Sequence, residues 1–139
     1  MLARRELDAQ EALVCTMVLV AAADGRMSDR EIGVMSGLVQ TLPVFHTFSS
    51  EQLQSATGMA AELLGQEDGL AQAARLIRAA LGDRLRETAY ALACEVIAAD
   101  HAVGQTALQM LDFVRTELHL DPLVAAALER GVRARYQTA

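Results

Sequence analysis

Three carboxylates fall within eight residues in the segment Asp24-Gly25-Arg26-Met27-Ser28-Asp29-Arg30-Glu31. Clustered carboxylate oxygens are the donors that hard divalent cations such as Ca²⁺ and Mg²⁺ take. Asp24, Asp29 and Glu31 are therefore the first candidates for chemistry. The spacing is not that of an EF-hand: Arg26 stands at the third position of such a loop, Gly25 is misplaced, and position 12 is not a glutamate. Each acid also has a local role that needs no ion. Ser28 followed three residues later by Glu31 is a capping box. Asp29 falls in the first turn of the helix so started, where the helix dipole favours negative charge. Asp24 can accept loop amides in an Asx-type turn. From the residues alone both readings stand.

A second corner, Ala98-Ala99-Asp100-His101-Ala102-Val103-Gly104, follows at an offset of 76, the distance from Asp24 to Asp100. The same offset pairs Glu11 with Glu87, Val20 with Val96, Met27 with Val103 and Ile32 with Leu108. The partner of Glu31 is Ala107, so the second corner keeps its aspartate and lacks the glutamate. Glu95 interrupts an apolar run just before Asp100. A lone buried carboxylate is costly, so Glu95 is a further oxygen donor, has a partner such as an arginine, or is exposed.

His101 beside Asp100 does not make a zinc site, because adjacent turn residues rarely hold one ion and His46 and His119 stand at no supporting spacing. A turn histidine that tolerates positive φ is the simpler account. Cys15 and Cys94 lie in apolar helical runs without a CxxC, which predicts buried reduced thiols rather than nucleophiles or a disulfide framework. The chain contains no GxSxG, no HExxH and no glycine-rich phosphate loop after a strand.

The elements that position these residues read as helices. The first is expected from about Arg4 to Ala23, ended by Asp24-Gly25. The second starts at the Ser28 cap, carries a hydrophobic staple between Met27 and Ile32, and runs to about Leu42, where Pro43 stops it. A third, capped by Ser49 or Ser50, ends near Gly65. A fourth spans Gly69 to Leu81, a fifth Asp83 to Ala99, and a sixth Gly104 to Leu118. Asp121 followed by Pro122 opens a seventh, to about Tyr136. Core stripes are expected at Val14, Val18 and Ala21 and at Leu108, Leu111 and Val114. The methionines read as adaptable core filler, with a Met-lined partner groove as the alternative. The expectation is an all-α bundle of about seven helices with internal pseudo-two-fold symmetry. One domain covers residues 1–139, with repeat-like halves at about 4–42 and 83–118.

Composition agrees with long helices. Of 139 residues, 53% are hydrophobic, many of them alanine and leucine, and only 4% are aromatic. The net charge of -6 and a pI near 5.0 leave no basic face for nucleic acid. Arg75, Arg78, Arg84 and Arg86 interleave with Asp83 and Glu87 and read as a solvated helix surface. The uncharged run Ala12 to Ala23 after Arg4 and Arg5 is too short to span a bilayer, which takes about 20 residues. A similar run recurs from Thr88 to Ala99, unlike any signal peptide. The expected location is cytoplasmic, with no membrane span.

The Ala22-Ala23-Asp24-Gly25 motif, with Glu31 seven residues after the aspartate and a second Ala-Ala-Asp corner later, resembles the signature of TerB-like (tellurite-resistance) domains. The resemblance covers roughly Glu6 to Leu120. It implies an all-helical fold in which two corners bring acidic residues together. Carried onto this chain, it implies Asp24, Glu31 and Asp100 as ligands of one divalent cation, Ca²⁺ or Mg²⁺ rather than Zn²⁺, with Asp29 and Glu95 as additions. It further implies a non-catalytic accessory protein of bacterial stress response, linked to tellurite resistance. Such a protein would have protein partners and association with a membrane surface among its options, and the apolar content of the chain leaves room for a homodimer face. The alternative is a pure interaction module whose acidic corner meets a basic partner without metal. A third reading, an enzyme, needs a pocket with perturbed ionisable groups.

Overall fold

A computed structural model describes residues 6–23, 25–99 and 104–139. Among the described residues there are seven α-helices and no strand. They are α1 (Ala9–Ala21), α2 (Asp29–Thr41), α3 (Ser50–Leu64), α4 (Gly69–Ala80), α5 (Asp83–Ala98), α6 (Gln105–Glu117) and α7 (Pro122–Arg135), with a single 3-10 turn at Pro43–Phe45 after α2.

Most helix starts follow from side chains that satisfy the first free amides. The Ser28 hydroxyl accepts from the Glu31 amide at 3.1 Å, and Glu31 Oε1 accepts from the Ser28 amide at 2.7 Å. Ser49, not Ser50, caps α3 through the same exchange with Gln52. Asp121 accepts from the Leu123 amide, with Pro122 at the first helical position of α7. The first helix corrects the expectation. It begins at Ala9 rather than Arg4, because Asp8 and Glu11 form a capping box of their own, with the Glu11 amide 2.8 Å from Asp8 Oδ1. Arg4 itself lies outside the described residues. Asp24 does too, whereas Gly25 adopts φ +111°, the left-handed region expected just past the helix.

Arginines close two helices. Arg86 donates to the carbonyls of Leu81 and Arg78 at the end of α4, at 2.9 and 2.8 Å. Arg78 donates to the Glu117 carbonyl and carboxylate at the end of α6, at 3.1 and 3.2 Å. Of the four arginines read as a solvated surface, Arg75 and Arg84 are exposed, while Arg78 and Arg86 are half-buried in these caps.

α1 is the centre of the structure. Every residue from Ala12 to Ala21 is buried, not only the Val14, Val18 and Ala21 stripe. A helix apolar all round belongs inside. It packs against α2, α3, α4, α5 and α6. α5 is its main neighbour and in turn carries α2, α6 and α7. The sixth-helix stripe is only partly core: Val114 is buried and Leu111 half-buried, but Leu108 is 51% exposed. No helix among the described residues is long and apolar enough to cross a membrane.

Candidate functional site

The corner between α1 and α2 carries Glu31 on the first turn of α2. Its residue is only 8% exposed. Oε1 is committed to the Ser28 amide, while Oε2 accepts no hydrogen bond from a described residue. A buried carboxylate with one free oxygen has acceptor capacity left for a cation or a donor. Asp29 sits two residues earlier on the same turn and is exposed. Asp24, Asp100 and His101 lie outside the described residues. Among the described residues no three His, Cys, Asp or Glu side chains gather as a metal-binding group.

Glu95, the other buried carboxylate at 7% exposure, is placed differently. Its Oε1 lies 2.6 Å from Arg135 Nε and its Oε2 accepts from the Tyr136 hydroxyl at 2.7 Å. Both oxygens are thus engaged by the end of α7. The arginine partner named as one of three options in the sequence is the arrangement found. α2 packs on α5, so the helix that starts at the Glu31 corner and the helix that carries Glu95 are neighbours. The Glu95 partners stand 40 and 41 residues away in sequence, and no local spacing signals them.

Further up α5, the buried Tyr90 hydroxyl donates to Glu129 of α7 at 2.5 Å. Burial and that hydrogen bond push the phenol well above its usual range. Cys94, one turn on, faces an open cleft of about 350 Å³ between α5, α6 and α7, together with Ile97, Leu111, Val132 and Arg133. Burial is the main cause that pushes the Cys94 thiol up to about 12, with Glu129 and Glu95 adding to it. Burial does the same to Cys15. Both cysteines are free and buried, and at neutral pH both stay protonated thiols, the inert form of the side chain.

No curated protein and no solved structure matches the chain. The family model described as "Tellurite resistance protein TerB" matches residues 10–130, from the first turn of α1 into α7. A seven-helix fold centred on α1 and α5, with the Glu31 corner at the start of α2 and a match over most of the length, leads to one conclusion: the chain belongs to the TerB family.

Proposed function

We propose that the protein is a non-catalytic accessory domain of TerB type, acting in the cytoplasm in tellurite-resistance or related stress responses, whose α1–α2 corner holds one divalent cation. The observation that carries the cation reading is Glu31: nine-tenths buried, held by its own cap, and with Oε2 bonded to no described residue. That oxygen fits a hard cation such as Ca²⁺ or Mg²⁺ better than Zn²⁺. Asp24 and Asp100 would complete the donor set, with exposed Asp29 close by on the same turn. Glu95 does not fit that role, since Arg135 and Tyr136 take both its oxygens.

A bound cation would supply positive charge where carboxylates otherwise repel one another, and would stabilise the assembled corner by mass action. The pairing of the two corners rests on reading the chain as an internal duplication of a helix-corner-helix unit. In its favour, α1 and α5 pack together, α6 lies on α1 and α2 lies on α5, as a two-fold arrangement requires.

The test is an amide NMR titration of the whole chain with Ca²⁺, Mg²⁺, Mn²⁺ and Zn²⁺. Wild type is compared with Glu31→Gln and Asp24→Asn. In Glu31→Gln the amide side chain still offers an oxygen to the Ser28 amide, so the cap survives while the charge is lost. Saturable shifts at Gly25 and Glu31 in wild type, absent from both variants, are expected. Unchanged wild-type spectra at millimolar cation would discard the metal in favour of a pure interaction module.

A further inference from the structure

A groove between α2 and α3 is left open by their own packing. It encloses about 430 Å³ and is lined by Met27, Ile32, Met35, Leu53, Thr57 and Gly58, among others. Met35 forms buried floor, whereas Ile32 is 47% exposed at the rim. Gly58 on the α3 wall has nothing within 4 Å of where a Cβ would stand. Glycine inside a helix is destabilising relative to alanine, and no internal contact explains this one. Its effect is to keep that wall low, so that another backbone can approach closely. Flexible methionines let such a surface adapt to what enters.

The charge around the groove selects the occupant. Beside the groove the exposed acids are Asp29 of α2 and Glu51 of α3, with Arg26 next to Met27 as an exposed cation, while Glu31 is buried in its own cap. Asp29 precedes Ile32 by three residues, and Glu51 precedes Gln54 by three and Gly58 by seven, which sets both acids on the stripes that border the groove.

We propose that the groove docks an amphipathic helix of a partner protein, with aliphatic side chains on its buried face and lysine or arginine along its flanks. An apolar helix face seated between two helices, with its flanking charges opposite carboxylates, is an established mode of recognition. The proposal stands whether or not the α1–α2 corner holds a cation.

The experiment titrates the isotope-labelled full chain with a synthetic helical peptide bearing leucine on one face and lysine on its flanks. A counterpart peptide carries glutamate for every lysine. The expected result is saturable shifts centred on Ile32, Met35, Leu53 and Gly58, with the lysine peptide bound at least roughly tenfold more tightly than its counterpart. Ile32→Ser and Gly58→Gln, both at exposed positions, are expected to weaken binding by a similar factor, while Gly58→Gln leaves the melting temperature unchanged or higher. Equal affinity for the two peptides, shifts lying outside the groove, or wild-type affinity in both variants would overturn the proposal. So would self-association of the peptide-free chain that Ile32→Ser abolishes in sedimentation, which would assign the groove to a second copy.

Discussion

The Tyr136 hydroxyl donates to Glu95 Oε2 at 2.7 Å, and this bond ties the end of α7 to the last turn of α5. Arg135 holds the other oxygen at 2.6 Å. Tyr136→Phe removes one hydrogen bond and is expected to cost about 1 kcal/mol in urea unfolding. The double variant Arg135→Gln with Tyr136→Phe leaves Glu95 buried without its charged partner, and a loss of about 3 kcal/mol is expected, the low end for a broken buried pair because Arg135 is 66% exposed. A double variant as stable as wild type would show that α7 does not depend on this contact.

Alkaline pH provides a second check. Cys15, Cys94 and Tyr136 are all pushed up to about 12, chiefly by burial, and Tyr90 is raised further. The ordinary values are 9.0 for the thiols and 10.0 for the phenols. Well below pH 9.0 these groups are protonated both folded and unfolded, so they add no pH dependence there. As pH rises past those ordinary values, the unfolded chain releases protons that the folded chain retains. Stability must then fall with pH, at up to about 1.4 kcal/mol per pH unit for each group involved. Urea midpoints measured between pH 8 and 11 are expected to drop steeply over the upper half of that range. Cys15→Ala should show a shallower slope on a lower baseline.

Two glycines of this chain, Gly69 and Gly37, should respond to the same substitution with opposite sign. A Cβ on Gly69 would overlap the Leu63 carbonyl oxygen and lie 2.9 Å from that of Leu64. These are backbone atoms that cannot rotate away. Gly69 follows Asp68, itself at φ 58°, in the tight turn between α3 and α4. Gly69→Ala is expected to destabilise by more than about 2 kcal/mol. Gly37→Ala meets open space and is expected to stabilise by about 1 kcal/mol. Paired thermal melts of the two variants decide the matter.

His119 ends α6 in the left-handed conformation, φ 56°, while the Leu120 amide reaches back to the Arg115 carbonyl at 3.2 Å. That is the arrangement in which glycine is preferred. The imidazole is exposed. His119→Gly is therefore expected to stabilise by about 0.5 to 1 kcal/mol. An unchanged or lowered unfolding midpoint would mean that the histidine makes a compensating contact.

Much of this fold was legible because its signals are local. Ser28 with Glu31 and Asp121 with Pro122 announce helix starts within three residues, and Pro43 with Gly65 marks the ends. Asp8 with Glu11 is the same kind of signal. It was overrun because the apolar pattern alone cannot say where a helix begins when its first turn is polar. Long-range relations were not legible. The sequence offered Glu95 three fates, and the choice was made by how α7 lies across α5, bringing Arg135 and Tyr136 to it. Leu108 shows the same limit from the other side: its spacing from Leu111 and Val114 defines a helix face, but only the neighbouring helices decide how much of that face is covered. Glu31 was legible as a cap, because Ser28 stands three residues before it and the exchange between the two is local.

From Ala12 to Ala21, α1 has no side that meets water. Its amides should exchange with solvent deuterium only when the whole molecule opens, later than those of the outer helices. Substitutions there should be admissible only as swaps among small apolar side chains of similar volume, whereas the outward faces of α3 and α7 are free to drift. The corner that follows α1 is thus fastened at one end to the part of the molecule least free to move or to change.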